Sequence, residues 1–332
     1  MPIDFSTFPI RFDDILEARK RIENRVFRTP LLEAPLLNEK LGHRVLFKAE
    51  ALQRTGAFKL RGAFNALLQL SPAEREAGVV AFSSGNHAQG MAYAAKQLGI
   101  RATIVMPADA PELKRRNTEA YGAEVVLYDR YNENRETIAS RLLEGSGRAL
   151  IKPFDDPRII AGQGTIALEI MEQARELGVE QIDRLFAPIG GGGLVAGLSL
   201  VIKHESPQTE VWAVEPEKHD DTWRSLKSGR REVNEKTESS VCDSILTEQP
   251  GEITFPINYK TLSGVSRVSD QEALCAVRDA VLYLKTVVEP GGVVGLAALA
   301  KHDIQSSGTV SVVVLSGGNI DQSVLKSAMD IA

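Results

Sequence analysis

Short apolar runs alternate with stretches of helical periodicity along almost the whole chain, and this alternation restricts the fold more than any other feature. The runs have the length of strands and are apolar on successive residues, as expected for strands that are buried on both faces. The pattern predicts parallel βαβ units and therefore an α/β fold. The predicted strands cover residues 45–48, 79–82, 102–106, 124–128, 150–153, 184–188, 210–214 and 310–315. The predicted helices cover residues 12–24, 58–70, 87–98, 112–121, 132–143, 159–177, 194–204 and 271–286.

Two local signals refine this scheme. Ser269 and Glu272 have the spacing of a capping box, which predicts that the last of these helices begins beside them. Residues 218–256 are rich in charged residues and turn formers, so they are predicted to be the most loop-like part of the chain.

The composition is that of a globular protein with small-molecule partners. A chain of 332 residues that is 43% apolar can bury a substantial core, in one large domain or two unequal ones. With 39 basic and 44 acidic residues and no basic run, nothing indicates binding to nucleic acid or to an anionic membrane. Cys242 and Cys275 are too few for a disulfide framework, and residues 1–5 lack the pattern of a secretory signal. These features predict a soluble, cytoplasmic protein.

A run of glycines, Gly190–Gly193, separates the predicted strand 184–188 from the predicted helix 194–204. Free backbone amides at a helix N-terminus, together with the helix dipole, favour a bound anion such as phosphate. The run is not a P-loop, because no Lys-Ser/Thr pair follows it. It does match the Gly-x-Gly-x-x-Ala pattern of dinucleotide folds, with Glu215 in place of the acid that binds ribose. A phosphorylated cofactor, a dinucleotide and a simple tight turn therefore stay open at this loop.

Lys59 lies between the aromatic residue Phe58 and a run of small residues, where a predicted helix begins shortly after a strand. Most lysines in such a place are solvated, but a half-buried one can lose its proton near neutral pH and attack a carbonyl. Further turns follow predicted strands at residues 83–86, 289–292 and 316–319. Because the carboxyl ends of parallel strands share one edge, we expect these turns, the glycine run and Lys59 to converge. A lysine beside a phosphate site suits a phosphorylated aldehyde better than a nicotinamide cofactor, and this favours pyridoxal 5'-phosphate.

At these residues the chain resembles the fold-type II pyridoxal-phosphate enzymes, and within them the serine/threonine dehydratase and serine racemase group, near its 3-hydroxyaspartate dehydratase-like branch. The matching motifs occur in the family's order at residues 55–63, 83–90, 190–194, 215–216, 289–290 and 316–319. The resemblance implies a two-domain, open, twisted parallel-sheet fold like that of tryptophan synthase β. Its large domain would comprise residues 1–78 and 155–332, and a small mobile domain would comprise residues 79–154. A homodimer is also implied.

The resemblance also implies a role for each matching residue around the cofactor. Lys59 would bond to the cofactor aldehyde, Phe58 would pack on the ring, and Asn86 would hydrogen-bond the ring hydroxyl. Ser316 would face the pyridine nitrogen, where a neutral hydroxyl does not enforce ring protonation and so favours elimination over transamination. The remaining implied cofactor contacts are Gly190, Gly191, Gly192, Gly193, Leu194 and Glu289, of which the glycines would hold the phosphate.

Four further residues are implied to contact the substrate. Ser83 and Ser84 would bind its carboxylate, and Ser84 would also act on the face opposite Lys59, as in the racemase-like branch. His87 would lie among these contacts or be structural. Arg135 would bind a second carboxylate, a task for which arginine is well suited, or would simply be a solvated helix residue.

A divalent-cation site is implied by the same resemblance. Its ligands would be Glu215, Asp221 and the backbone carbonyl of His219. Ligation by oxygen alone suits Mg²⁺, Mn²⁺ or Ca²⁺. The alternative is a pair of carboxylates in a surface loop.

The implied reaction is an ammonia-lyase reaction on a 3-hydroxy amino acid, such as serine, threonine or 3-hydroxyaspartate. Lys59 would remove the α-proton, water would leave, and a 2-oxo acid and ammonia would be the products. An amino-acid racemase for serine or aspartate, which would use Ser84, is an alternative. From another class, a nicotinamide-dinucleotide-dependent oxidoreductase or a non-catalytic binding domain would use the same glycine loop.

Overall fold

Two β-sheets organise the computed structural model, which describes residues 5–234, 239–301 and 309–331. Their strands are β1 (Leu31–Glu33), β2 (Arg44–Ala49), β3 (Val79–Phe82), β4 (Ala102–Pro107), β5 (Glu124–Tyr128), β6 (Ala149–Ile151), β7 (Arg184–Pro188), β8 (Glu210–Pro216), β9 (Gly264–Val268) and β10 (Val310–Leu315). Within the described ranges, one sheet has six strands in the order β1-β2-β10-β7-β8-β9, and the other has four in the order β5-β4-β3-β6. Neighbouring strands are parallel except for the pair β1-β2. The predicted α/β fold with parallel sheets is therefore confirmed.

Helices cover both faces of the six-stranded sheet. The α-helices are α1 (Phe12–Ile22), α2 (Pro35–Leu41), α3 (Lys59–Leu67), α4 (Pro72–Ala77), α5 (Asn86–Leu98), α6 (Glu112–Ala120), α7 (Arg135–Leu143), α8 (Pro157–Glu176), α9 (Gly193–Glu205), α10 (Asp221–Ser228), α11 (Thr254–Thr261), α12 (Asp270–Asp279), α13 (Pro290–Ala300) and α14 (Gln322–Met329). Successive residues of β10 enter different apolar cores, Val312 beside α8 and α9 and Val313 beside α12 and α13. This alternation is the reason that β10 is apolar on successive residues.

The four-stranded sheet has its own core. Val79 and Ile104 on one face pack with Leu60 and Phe64 of α3 and with apolar residues of α5. The strands of this sheet all lie between residues 79 and 154, although α3, which covers one face, precedes them in the chain. The division into domains at residues 79 and 154 stays a prediction.

The predicted strands are present, with ends that differ by at most two residues. The sequence analysis missed β1 and β9, which are the two edges of the six-stranded sheet. Edge strands bury less surface than central ones. Most residues of β9 are only partly buried, so β9 lacks the continuous apolar run by which its neighbours were found.

One of the predictions about local structure was wrong. Residues 289–292 do not follow a strand: Glu289 is at the N-cap position of α13 without a side-chain cap, and Pro290 takes the first helical position, which proline favours because its missing N–H is not needed there. Residues 218–256 contain α10, the start of α11 and one short 3-10 turn, but most of their described residues lie outside regular elements, so the loop-like character predicted for this segment is confirmed there; residues 235–238 lie outside the described ranges. The capping box of Ser269 and Glu272 is confirmed at the start of α12.

Glycines allow α3 to pack directly on α8. A Cβ atom on Gly162 would lie 2.6 Å from the Cα atom of Gly62, and one on Gly62 would lie 2.9 Å from the carbonyl oxygen of Ile159. The helices are therefore in backbone contact, and any side chain at either glycine would push them apart. This contact fixes the position of α3, which has Lys59 as its first residue.

In the ranges that the structure describes, no helix combines the length and the apolar character needed to cross a bilayer. Residues 1–4, most of the segment considered for a targeting signal, lie outside these ranges.

Candidate active site

A cavity lies where the carboxyl ends of strands from both sheets meet. Its lining residues are Phe58, Lys59, Asn86, Phe154, Pro188, Gly190, Gly191, Gly192, Gly193, Leu194, Ser244, Ile245, Thr247 and Ser316. All the residues predicted to contact a cofactor are in this set except Glu289, which hydrogen-bonds the lining residue Asn86. The structure thus brings together side chains that are far apart in the sequence.

Lys59 is held against the turn that follows β10. The backbone N–H of Phe58 donates to the carbonyl of Ser316 (3.0 Å), and that of Gly318 donates to the carbonyl of Gly56 (2.8 Å). The Lys59 Nζ atom donates to the carbonyl of Pro153 (2.8 Å) and lies 5.1 Å from the centroid of the Phe58 ring. Burial lowers the pKa of Lys59 to about 8. The side chain is therefore near the midpoint between its charged and neutral forms at mildly alkaline pH.

The glycine loop has its carbonyl groups occupied and its amide groups free. The carbonyl of Gly191 accepts hydrogen bonds from the Thr254 hydroxyl (2.6 Å) and the Gly251 amide (3.2 Å). In the hydrogen bonds among described residues, the amides of residues 190–194 donate none. The side chain of Asn258 donates to the carbonyl of Gly192 (3.2 Å). Free amides at the start of α9 form a site that can accept a phosphate group.

Only glycine fits in this loop. A Cβ atom on Gly191 would lie 2.3 Å from the ring of Phe154, which lines the same cavity. Gly192 has a φ angle of +92°, and a Cβ atom there would also lie 2.5 Å from Asn258 Nδ2. Because Phe154 and Asn258 pack directly against these glycines, the loop is held in place and does not act as a flexible linker.

Asn86, the first residue of α5, is part of a polar chain beside the cavity. Its Oδ1 atom accepts from Asn319 Nδ2 (2.9 Å), and its Nδ2 atom donates to the buried carboxylate of Glu289. Burial raises the pKa of Glu289, although the nearby ammonium of Lys114 opposes this. The hydroxyl of Ser316 lines the cavity and makes no side-chain hydrogen bond with the described residues, so it is free to contact a ligand.

The residues predicted to contact a substrate lie around the end of β3. Ser83 and Ser84 are partly buried, and the Ser83 hydroxyl accepts from the Gly85 amide (3.1 Å). His87 is buried, and its pKa is lowered to about 3 by burial and by the charge of Lys59, so its ring is neutral at physiological pH. None of these three side chains, nor that of Arg135, is in the set that lines the cavity.

Arg135 of α7 lies over the ring of Phe82, the last residue of β3. Its guanidinium carbon lies 4.9 Å from the centroid of the Phe82 ring, and Phe82 directly precedes Ser83. This contact places a cation beside the turn but outside the cavity.

The predicted cation ligands form a separate cluster at the end of β8. The buried carboxylate of Glu215 accepts from the backbone amides of Thr222 (3.2 Å) and Trp223 (2.7 Å). Asp221 accepts from Asn234 through Oδ1 (2.6 Å), while its Oδ2 atom has no partner among the described residues. Burial raises the pKa of both groups, that of Asp221 to about 7, and in Glu215 the charge of Asp221 adds to the effect.

This cluster suits a hard cation better than a softer one. Two buried carboxylates close to each other are stabilised either by protons or by a cation, and oxygen donors suit Mg²⁺, Mn²⁺ or Ca²⁺. No group of three or more His, Cys, Asp or Glu side chains able to hold a metal is found in the described parts of the chain. Any cation here would therefore need backbone or water ligands as well.

The sequence analysis missed several residues of the site. Phe154 follows the predicted strand 150–153, so the rule that ligands lie after parallel strands could have found it. Ser244, Ile245 and Thr247 lie in the segment that was predicted to be loop-like, and no local signal marks them. Lys114, which hydrogen-bonds Glu289 from α6, was also missed.

Comparisons with known proteins agree with the chemistry of this cavity. The family model described as pyridoxal-phosphate dependent enzyme matches residues 22–317. L-threo-3-hydroxyaspartate ammonia-lyase of Saccharomyces cerevisiae is 44% identical over 310 residues, which cover 93% of this chain and 93% of that protein. Serine racemase of Schizosaccharomyces pombe is 41% identical over 310 residues, covering 93% of this chain and 94% of that protein. The solved structure of the T.th. threonine deaminase has a TM-score of 0.88 and 46% identity, covering 94% of this chain and 99% of that one.

The lowered pKa of Lys59 predicts unusual reactivity of its amine. In the cofactor-free protein, acetylation by acetic anhydride should reach half of its maximal rate near pH 8, because about half of the Lys59 amines are then neutral. Lys20 is the control: it is exposed, and its hydrogen bond to Glu17 raises its pKa. Mass spectrometry of peptides from a pH series measures both rates. Equal pH profiles for the two lysines would contradict the prediction.

Proposed function

Because this chain belongs to the pyridoxal-phosphate-dependent enzymes, we propose that it is an ammonia-lyase that converts a 3-hydroxy amino acid to a 2-oxo acid and ammonia. The observation that carries the proposal is a single cavity that holds an amine of lowered pKa, Lys59, and the free amides of the glycine loop. Relatives that share more than 40% of their residues with this chain are named as ammonia-lyases. Membership of this family also decides between the phosphorylated cofactors that the glycine loop alone leaves open.

The cavity residues fit pyridoxal phosphate. Free amides at residues 190–194 suit its phosphate, Phe58 offers a ring face, and the free hydroxyl of Ser316 suits its pyridine nitrogen. Asn86 and Glu289 would hold the edge of the ring. When bound, the cofactor withdraws electrons from the substrate's α-carbon and so makes the α-proton acidic.

The protein's own groups then have the following tasks. Lys59 accepts the α-proton, for which a pKa of about 8 is well matched to neutral or mildly alkaline pH. Ser83, Ser84 and the N-terminus of α5 bind the substrate carboxylate, because hydroxyls and free amides at a helix start favour an anion. Ser316 stays neutral, so it does not stabilise a protonated pyridine ring, and this favours loss of the 3-hydroxyl over transamination.

Among 3-hydroxy amino acids, we propose that the chain prefers one with a second carboxylate, of the 3-hydroxyaspartate type. Arg135 supports this, because its guanidinium lies beside the residue that precedes the serine turn. The Arg135 side chain makes no hydrogen bond or ion pair with the described residues, so its donors stay available for a substrate carboxylate. The ammonia-lyase of Saccharomyces cerevisiae named above is a relative whose name gives such a substrate.

Racemisation is a second candidate, and relatives named as serine racemases favour it. It would require a proton donor on the face opposite Lys59, and Ser84 is the residue we propose for this task. The domains at 1–78 with 155–332 and at 79–154, the homodimer and the cytoplasmic location stay predictions.

One experiment in deuterated water can distinguish the proposed roles of Lys59 and Ser84. Lys59→Ala should lose both oxo-acid release and α-proton exchange, by at least ~10²-fold, because general-base assistance has about that value. Borohydride should then fail to fix a pyridoxyl group on the protein. Ser84→Ala should keep oxo-acid release and lose only inversion of the recovered amino acid. Chiral chromatography and mass spectrometry measure both outcomes.

Two results would contradict this assignment. Normal turnover in Lys59→Ala would remove Lys59 from the reaction. Full inversion in Ser84→Ala would remove Ser84 from racemisation while leaving the lyase proposal untouched.

Replacing Arg135 tests the substrate class. Arg135→Gln should lower kcat/KM for 3-hydroxyaspartate by about 10- to 100-fold, because a charge-assisted hydrogen bond contributes roughly 1.5–3 kcal/mol. The value for serine should change little, since serine has no second carboxylate. Arg141→Gln, an exposed residue of the same helix, is the control. Assays of oxo-acid release with both substrates give the ratio, and an equal loss for the two would reject the proposal.

We also propose that Glu215, Asp221 and the carbonyl of His219 bind Mg²⁺ or another hard divalent cation. The unpaired oxygen of Asp221 and the raised pKa values of both carboxylates support it. The cation would neutralise the charge that burial makes unfavourable. Its task is to stabilise the segment that links β8 to α10, away from the reacting atoms.

Cation binding predicts a change in pH-dependent stability. Without a divalent cation, the free energy of unfolding should decrease as the pH rises from about 4 to about 7. The reason is that the folded protein binds a proton at Asp221 more tightly than the unfolded chain does, and this advantage is lost when Asp221 ionises. At 100 times its dissociation constant, Mg²⁺ should add about 2.7 kcal/mol. Asp221→Asn should abolish this gain and exposed Asp330→Asn should not. Thermal unfolding with chelator or Mg²⁺ measures it, and an equal gain in Asp221→Asn would exclude the site.

A further inference from the structure

Lys114 is a buried lysine that connects the two sheets. It lies on α6, beside the four-stranded sheet, and only 1% of its side chain is exposed, which is rare for a lysine unless it is paired. Its Nζ atom lies 2.8 Å from an oxygen of Glu289 and 2.7 Å from one of Asp243. Both carboxylates belong to segments that pack with the six-stranded sheet. One ammonium group therefore joins the two sides of the cavity.

The stem of this lysine lies against the serine turn. A Cβ atom on Gly85 would be 2.8 Å from the Cδ atom of Lys114, so the turn has glycine where the stem passes. The next residue, Asn86, hydrogen-bonds the other oxygen of Glu289. The carboxylate of Glu289 is thus held by two residues from the four-stranded side.

Asp243 links Lys114 to a wall of the cavity, which we define as residues 243–247. Ser244, Ile245 and Thr247 of this wall line the cavity. The wall covers the glycine loop, since a Cβ atom on Gly190 would lie 3.1 Å from the carbonyl oxygen of Ile245. The hydrogen bond from Lys114 to Asp243 therefore helps to fix the position of the lining residues that follow Asp243 in the wall.

The ammonium group is well fixed in its charged state. Burial disfavours the charge, but the two carboxylates outweigh this effect and raise the pKa of Lys114. Without Lys114, Asp243 and Glu289 would face each other with no ammonium between them. With its ammonium partner gone, the buried carboxyl of Glu289 would take up a proton more readily, and the link between Glu289 and the wall would be lost.

We propose that Lys114 is a positioning residue that holds Glu289 and the wall in place around the bound cofactor. The inference rests on the proposed function only in that the cavity binds pyridoxal phosphate, and it does not depend on which substrate is used. Lys114 itself lies outside the cavity lining. It acts through Glu289, Asp243 and Asn86.

Cofactor retention by the holoenzyme tests this role directly. Lys114→Met keeps an unbranched side chain that is one atom shorter and removes the charge, and it should raise the dissociation constant for pyridoxal phosphate at least about tenfold. Equilibrium dialysis followed by absorbance of the retained cofactor measures the constant without turnover. Arg116→Met, an exposed residue on the same helix, should leave the constant unchanged.

A second variant keeps the test decisive if Lys114→Met folds poorly. Asp243 is about one-third exposed, so Asp243→Asn should fold and should weaken cofactor binding in the same direction. The double variant should be no worse than Lys114→Met alone, because both changes break one interaction. Thermal unfolding of the cofactor-free forms separates positioning from general stability.

Two outcomes would overturn the proposal. The first is cofactor affinity equal to that of the unaltered protein in both single variants, even if they melt at lower temperature. The second is a double variant whose loss equals the sum of the single losses. Failure of the lyase assay alone would not affect this result, since dialysis requires no substrate.

Discussion

The position of the reactive lysine depends on a group of four buried charges beneath it. Arg61 donates to Glu50 (2.7 and 2.8 Å) and to Glu169 (2.7 and 2.9 Å), and Lys48 donates to Glu169 (2.6 Å). The two cations and two anions balance, and they join β2, α3 and α8. Removing one member would leave an uncompensated charge in the core, at a cost of about 3–5 kcal/mol. Together with the glycine contact between α3 and α8, this group fixes Lys59, which lies two residues before Arg61.

Two lysines near the cavity, Lys59 and Lys114, have opposite pKa shifts, and the difference explains their different uses. Lys59 has no carboxylate close enough to oppose the effect of burial, so its pKa falls to about 8. Lys114 is more deeply buried than Lys59 but has two carboxylates beside it, so its pKa rises. The first can exchange a proton at moderate pH, and the second keeps its charge. A nucleophile and a fixed cation are thus made from the same residue type by the placement of acidic neighbours.

Much of the fold and of the cavity could be predicted because the signals are local. The central strands are continuous apolar runs, and Lys59 and the glycine loop each follow such a run. The edge strand β9 was missed because its residues are only partly buried and form no continuous apolar run. Helix α13 was missed because its first residues, Pro290, Gly291 and Gly292, have the pattern of a turn. The wall and Lys114 could not be found in this way, since Lys114 and Glu289 are 175 residues apart and meet only through the packing of two sheets.

The glycine loop illustrates how the fold prepares a site before any ligand binds. Backbone carbonyls in such a loop could accept hydrogen bonds from the loop's own amides. Here the carbonyls of Gly191 and Gly192 already accept from Thr254, Asn258 and the Gly251 amide. The loop's own amides are consequently left with no partner among the described residues, and they converge at the start of α9. Because the Phe154 ring and the side chains of α11 pack closely against the loop, it cannot rearrange to satisfy them internally. An anion is the partner that this geometry selects, and the lysine across the cavity determines which kind of phosphorylated molecule can use it.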